Sequence, residues 1–106
     1  MLELTEQDCG AERDVKAGGL VRLVLTEPGG TGYLWEPRDL DTARLELLET
    51  TTARRGDKEL LGGPHDRIFL FRALRPGKVR LILELRRPWE KGEPPPRTCS
   101  ITLNIL

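Results

Sequence analysis

The chain has 106 residues, with 17 Lys plus Arg against 17 Asp plus Glu, so its formal net charge is zero. This length suits one hydrophobic core and is too short for two. The balanced charge excludes the basic surface with which proteins bind nucleic acid, and a single histidine, His65, leaves little for acid–base catalysis. We therefore expect one domain over residues 1–106 that binds no nucleic acid.

Apolar and polar residues alternate along most of the chain, which is typical of half-buried β-strands. In chain order, the predicted strands cover residues 2–5, 20–25, 33–36, 45–50, 67–73, 79–86 and 99–105. The segment 41–49 also has the composition of a short helix. The β-branched residues 50–52 that follow it favour a strand instead.

Glycine and proline mark turns between these segments. The turn signals lie at residues 18–19, 28–30, 62–64, 76–77 and 94–96. About seven short strands with such turns predict an all-β fold, an immunoglobulin-like β-sandwich. Phe69 and Phe71 share the inward face of one strand, and Trp35 is expected in the core of the sandwich.

The two cysteines, Cys9 and Cys99, lie near opposite ends of the chain. Without a neighbouring histidine they offer too few ligands for a zinc site. They are either two buried free thiols or a disulfide, which would stabilise the fold by roughly 4 kcal/mol because it closes a long loop. Only geometry decides between these two readings.

No apolar run is long enough to predict a transmembrane helix, so we expect no membrane partner. Residues 1–6 lack the basic start and apolar stretch of a signal peptide. The localisation therefore stays open. The protein is cytoplasmic, or it is periplasmic or secreted if a signal peptide has been removed.

No catalytic or metal-binding pattern stands out. His65 lies in a Gly-Gly-Pro-His-Asp turn without a neighbour that would orient it as a base, and Ser100 has the outward parity of its strand. The glycine pairs lack the spacing of a phosphate-binding loop, and the acidic residues lack the spacing of a calcium loop. We expect neither an enzyme nor a cofactor.

Three segments have the composition of binding loops. Residues 27–35 contain three glycines and a proline, residues 60–65 again expose glycine backbone, and residues 86–92 hold Trp89 behind a proline. Glycine lets a partner approach the backbone closely, and a Trp beside Arg is a typical interface anchor. In a seven-strand sandwich these segments follow the second, fourth and sixth strands, so all three emerge at one end.

The same segments resemble the chagasin family of cysteine-peptidase inhibitors. Residues 31–33, Thr-Gly-Tyr, resemble the end of the family motif Asn-Pro-Thr-Thr-Gly followed by Tyr or Phe. Residues 60–63 resemble Gly-x-Gly-Gly, and residues 87–89 match Arg-Pro-Trp. The chain departs from the pattern at residues 27–30, where either Pro28 takes the Asn position or one residue is inserted, and its second loop is shorter.

This resemblance implies a reversible inhibitor of papain-like cysteine peptidases that inserts three loops into the active-site cleft and needs no cofactor. Thr31 and Gly32 would lie nearest the catalytic cysteine, Trp89 would pack on the cleft wall, and Arg87 would meet polar or acidic groups there. The candidate peptidase-binding residues are Gly29, Gly30, Thr31, Gly32, Tyr33, Gly62, Gly63, Arg87, Pro88 and Trp89. We expect a monomer. The alternative is an immunoglobulin-like interaction or adhesion module that binds a non-protease partner through the same loops.

Overall fold

The computed structural model describes residues 1–54 and 63–106. The strands are Leu2–Leu4 (β1), Glu12–Val15 (β2), Leu20–Glu27 (β3), Leu34–Arg38 (β4), Leu45–Arg54 (β5), His65–Ala73 (β6), Gly77–Arg86 (β7) and Arg97–Ile105 (β8). A short 3-10 turn covers Glu6–Asp8. Residues 45–49 of the segment that could have been a helix belong to strand β5, as predicted, and residues 42–44 before them form a turn. Within the described residues, no helix is long and apolar enough to cross a membrane.

The strands form two four-stranded sheets, in the orders β1-β3-β6-β5 and β2-β8-β7-β4. The short edge strands β1 and β2 run parallel to their neighbours, and the remaining pairs are antiparallel. The predicted all-β sandwich is confirmed. The described chain has eight strands where about seven were expected. The additional strand is β2, whose Glu-Arg-Asp-Val sequence is exposed at three of its four positions and so carries no alternating pattern.

The core lies between the two sheets and is built by side chains at alternate positions of the long strands. Strand β3 buries every second residue from Val21 to Glu27, which is the period of a strand with one face inward. Trp35, Phe69 and Phe71 belong to this core, as predicted. Each fully buried aliphatic or aromatic side chain contributes about 1.5–3 kcal/mol of transfer free energy. Leucine, valine and isoleucine provide most of the remaining volume.

The N-terminal segment crosses from one sheet to the other and is attached by a disulfide. Cys9 follows the 3-10 turn and bonds to Cys99 of β8, with the two Cα atoms 5.0 Å apart. The structure thus contains the disulfide rather than two free thiols. Thr5 caps the turn, since its hydroxyl oxygen accepts from the Gln7 N–H at 3.3 Å, and its own backbone N–H donates to the Asp8 carboxylate at 2.8 Å. The Glu6 carboxylate accepts from the Thr26 N–H of β3 at 2.6 Å.

Strand pairing brings loop 1 (residues 28–33, after β3) and loop 3 (residues 87–96, after β7) to one end of the sandwich. Loop 2 is the segment between β5 and β6 (residues 55–64), of which the structure describes only residues 63 and 64. The ends of β3 and β5 both pair with the start of β6, at His65. The start of β4 pairs with the end of β7, Leu34 opposite Arg86. Loops 1 and 3 share one end as expected, and the strand ends on either side of loop 2 lie at that end. Because of the additional strand β2, the three loops follow the third, fifth and seventh strands.

Candidate functional site

Loop 1 is a tight turn that leaves one sheet and enters the other. Gly30 and Gly32 have φ of 71° and 78°, the left-handed region that glycine adopts without steric cost. The Thr31 hydroxyl donates to the Pro28 carbonyl at 3.3 Å and accepts from the Tyr33 N–H at 3.4 Å. Gly30 and Thr31 are exposed at the tip. The loop therefore holds its shape while presenting backbone to solvent.

A buried carboxylate closes the base of loop 1. Glu27 is fully buried and accepts from the backbone N–H of Trp35 at 2.8 Å, which joins the end of β3 to β4 across the base of the loop. The Arg67 guanidinium donates to both Glu27 oxygens, at 2.9 and 3.2 Å. His65 Nε2 lies 2.6 Å from Glu27 Oε1. The Trp35 indole donates to the Thr26 carbonyl at 2.8 Å, so both ends of loop 1 are fixed.

The charge of Glu27 is stabilised despite its burial. Burial raises the pKa of the Glu27 carboxyl, but the hydrogen bonds from Arg67, the Trp35 N–H and His65 outweigh it. The net pKa of Glu27 lies below that of an ordinary glutamate. A buried carboxylate with several donors is normally ionised, so the base of the loop is an ion-pair network in the folded chain.

Loop 3 begins with a turn that carries the exposed tryptophan. The Glu90 N–H donates to the Arg87 carbonyl at 3.0 Å, which places Pro88 and Trp89 at the corner of the turn. Trp89 is 67% exposed, a large value for an apolar ring. At the foot of the loop, Arg86 donates to Glu84 and to the Glu93 carbonyl, both at 2.8 Å. Loop 3 is therefore held by hydrogen bonds at its turn and at its foot, and Trp89 is exposed on it.

Loops 1 and 3 contact each other directly. The Arg87 guanidinium donates from Nε to the Thr31 carbonyl at 2.9 Å and lies 4.3 Å from the centroid of the Tyr33 ring. The Trp89 ring rests on Gly32, because a Cβ added at Gly32 would lie 2.1 Å from Trp89 Cη2. The two loops thus form one unit, which we call the loop 1–loop 3 edge (residues 28–33 and 87–90).

The predicted site residues are placed as follows. Eight of them, Gly29, Gly30, Thr31, Gly32, Tyr33, Arg87, Pro88 and Trp89, lie on the loop 1–loop 3 edge. Gly63 is half-buried just before β6. Gly62 lies outside the described residues. Tyr33 is partly buried against the core and covered by Arg87, so its ring supports the loop from below.

Sequence reasoning missed Glu27, His65 and Arg67, although strand parity could have found them. Glu27 continues the inward positions of Val21, Leu23 and Leu25 in β3, and His65 and Arg67 share the inward parity of Phe69 in β6. A carboxylate, a histidine and an arginine at inward positions of paired strands indicate a buried ion-pair cluster. Among the described residues, no group of His, Cys, Asp or Glu side chains is arranged to hold a metal.

Comparison with known proteins decides the family. The family model described as Chagasin family peptidase inhibitor I42 matches residues 14–104. The chain belongs to the chagasin family. Amoebiasin-2 from Entamoeba histolytica is 30% identical to this chagasin-family chain over 104 residues, which are 97% of this chain and 82% of that protein. The family assignment made from the three motifs is confirmed, and with it the prediction of a cysteine-peptidase inhibitor rather than an enzyme.

Solved structures agree with the fold. The crystal structure of the cysteine protease inhibitor EhICP2 from Entamoeba histolytica has a TM-score of 0.88 and 26% identity, and the match covers 99% of this chain and 95% of that one. The solution structure of Amebosin has a TM-score of 0.79 and 18% identity, with 99% and 97% covered. PbICP-C in complex with falcipain-2 has a TM-score of 0.69 and 18% identity, with 98% and 89% covered.

Proposed function

We propose that this chagasin-family chain inhibits papain-like cysteine peptidases reversibly, by placing loops 1, 2 and 3 in the active-site cleft. The observation that carries the proposal is the loop 1–loop 3 edge. It joins exposed glycine backbone to an exposed tryptophan at one end of a rigid sandwich. Such an edge can enter a cleft that is open along its length.

The roles of the residues follow from their positions on the edge. Thr31 and Gly32 form the exposed backbone of loop 1 and, by resemblance to the family, would lie nearest the catalytic cysteine. Trp89 would anchor the edge on the cleft wall, since well-exposed tryptophans are frequent hot spots of interfaces. Gly63 would supply backbone contacts to the wall of the cleft, and Gly62, the other candidate residue of loop 2, lies outside the described residues.

Pre-organisation supports the proposal energetically. Association costs free energy for every loop that must be ordered on binding. Here the hydrogen bonds of Thr31, Arg87 and Glu27 already fix the shape of loop 1 before a partner arrives. More of the contact free energy therefore remains for affinity.

The comparisons favour a peptidase as the partner over the non-protease adhesion partner considered from sequence. The family is one of peptidase inhibitors, and the structurally similar EhICP2 is named a cysteine protease inhibitor. PbICP-C, which shares the fold, was solved in complex with falcipain-2.

The experiment is a titration of papain with the purified chain, using a fluorogenic peptide as substrate. We expect KM for the substrate to rise with inhibitor concentration while kcat stays constant, because the loops would occupy the cleft. Dilution of the complex should restore full activity. A chain that leaves papain fully active at micromolar concentration would contradict the proposal.

A further inference from the structure

Arg87 directs its donors toward the chain itself. Its Nε donates to the Thr31 carbonyl at 2.9 Å, and its Nη1 pairs with Glu90 at 3.0 Å. One face of the guanidinium covers the Tyr33 ring. The side chain is only 33% exposed. From the sequence, Arg87 was expected to donate to polar groups of a peptidase. In the structure the same donors already have acceptors within the chain, at Thr31 and Glu90.

The carbonyl that Arg87 holds is the one that matters for cleavage. Thr31 O is the carbonyl oxygen of the Thr31–Gly32 peptide bond, and these two residues are the ones proposed to approach the catalytic cysteine. A cysteine peptidase cleaves a peptide bond when its thiolate reaches the carbonyl carbon and oxyanion donors of the enzyme receive the carbonyl oxygen. An oxygen bound by a guanidinium is not free to turn toward those donors.

We propose that Arg87 is a positioning residue that protects the Thr31–Gly32 bond from hydrolysis by the inhibited peptidase. The charge-assisted hydrogen bond keeps the carbonyl oxygen directed at loop 3, which prevents near-attack geometry at the carbon. This inference rests on the proposed function, because it requires loop 1 to lie at the catalytic cysteine.

The Trp89 ring protects the same bond by a second route. It packs on Gly32 so closely that the space beside the glycine Cα is filled. The peptide bond between Thr31 and Gly32 is thus fixed by a hydrogen bond at its oxygen and by an aromatic ring next to its nitrogen side. Rotation of this peptide plane would have to displace both groups.

Without Arg87, the reaction open to the peptidase is ordinary hydrolysis. The cysteine Sγ would bond to the Thr31 carbonyl carbon, and the bond from that carbon to the Gly32 nitrogen would break. The leaving amine would take a proton from the enzyme's general acid. Water would then cleave the thioester, releasing a new carboxylate at Thr31 and the free thiol. No other reactant is needed.

The experiment incubates papain with the wild-type chain, Arg87→Ala and Arg80→Ala, and follows each chain by mass spectrometry. Arg80 is the matched control, because it is an exposed arginine of β7, the strand that leads into loop 3, and lies away from the loops. A cut at residue 31 falls inside the loop closed by the Cys9–Cys99 disulfide. The products therefore stay joined, with the mass gain of one water, until the disulfide is reduced.

We expect Arg87→Ala to be cut between Thr31 and Gly32 about tenfold faster or more than the wild type, the factor that corresponds to the loss of one charge-assisted hydrogen bond. Arg80→Ala should stay as intact as the wild type. Cleavage at this one bond indicates that its protection is lost. General unfolding would instead expose many peptide bonds to papain and give many cuts. Arg87→Lys, which keeps the charge but cannot reproduce the fork geometry, serves if Arg87→Ala does not fold.

The inference is overturned if the Arg87 variant that folds is not cut at the Thr31–Gly32 bond faster than the wild type, whether or not its inhibition constant changes. A failure of the proposed function looks different, because the wild-type chain itself would then leave papain active.

Discussion

The ring of Trp89 lies against the backbone of Gly32, at a distance that leaves no room for a side chain there. A Cβ built at Gly32 would lie 2.1 Å from Cη2 of the ring and 2.9 Å from Cζ3. The most exposed aromatic ring of the described chain is therefore also seated on loop 1. An anchor that is held in place before binding loses less conformational entropy when a partner covers it.

Gly32→Ala should loosen this contact. The alanine would be strained at φ of 78°, which costs about 1–2 kcal/mol of folding free energy, and its Cβ would push the Trp89 ring off loop 1. We expect a lower urea midpoint and a larger inhibition constant against papain. Both quantities are measured on the same preparation.

Gly18→Ala is the matched control for the backbone cost alone. Gly18 has a similar φ of 84°, no atom lies within 4 Å of its added Cβ, and it precedes β3, at the opposite end of the sandwich from the loops. It should lower stability by a similar amount and leave inhibition unchanged. Equal inhibition by Gly18→Ala and Gly32→Ala would show that the contact with Trp89 is irrelevant to binding.

Trp89→Ala tests the anchor itself. We expect inhibition to weaken by about 2 kcal/mol or more, as for an interface hot spot, while the thermal midpoint stays close to that of the wild type because the ring is mostly exposed. The measurement is the inhibition constant against papain. Leu74→Ala removes another partly exposed apolar side chain, between β6 and β7 at the far end, and should not change it. If the inhibition constant of Trp89→Ala equals that of the wild type, Trp89 is not the anchor.

The sandwich was predictable because strand alternation is a local property. Where one face is buried, the period of two sets which residues point inward and so sets the pairing register, as in β3 and β7. Strand β2 lacks this signal. It is a strand because its backbone hydrogen-bonds to β8, about ninety residues away in sequence. Backbone hydrogen bonds do not depend on the side chains, so the sequence pattern does not predict this strand.

The loops of the site were predictable as separate motifs, but the direct contact between loops 1 and 3 was not. Arg87 and Thr31 lie 56 positions apart, and nothing local in either segment indicates that the guanidinium of one binds the carbonyl of the other. The motif comparison therefore assigned Arg87 to a partner, whereas the fold gives its donors an internal acceptor. The network around Glu27 is an intermediate case, since inward parity marks its members and only the register brings them together.

The disulfide makes a prediction about the purified chain. Without reductant, iodoacetamide should add nothing to the intact mass, because Cys9 and Cys99 are bonded to each other. In a double variant with alanine at both positions, the free energy of unfolding in urea should fall by up to roughly 4 kcal/mol, since the unfolded chain regains the entropy of a long loop. Two alkylated thiols in the unreduced chain would contradict the structure.

The Glu27 network makes a prediction about pH. The pKa of Glu27 in the folded chain lies below the ordinary value because the hydrogen bonds from Arg67, the Trp35 N–H and His65 outweigh the opposing effect of burial. A carboxyl whose pKa is lowered by folding adds stability that is complete above the pKa of the unfolded chain, about 4.3. That stability is lost as the pH falls through the lower pKa of the folded chain. Stability should therefore fall as the solution is acidified through this range.

Glu27→Gln isolates this contribution, because the amide cannot ionise and offers one acceptor oxygen in place of two. We expect its unfolding free energy near neutral pH to be lower by about 2 kcal/mol, the scale of a lost hydrogen bond to a charged group. The difference from the wild type should shrink on acidification below about pH 4.3. Urea unfolding at a series of pH values measures both effects, with Glu36→Gln, an exposed glutamate of β4, as the control that should follow the wild-type profile. A constant gap between Glu27→Gln and the wild type across that range would mean that the charge of Glu27 contributes nothing to folding.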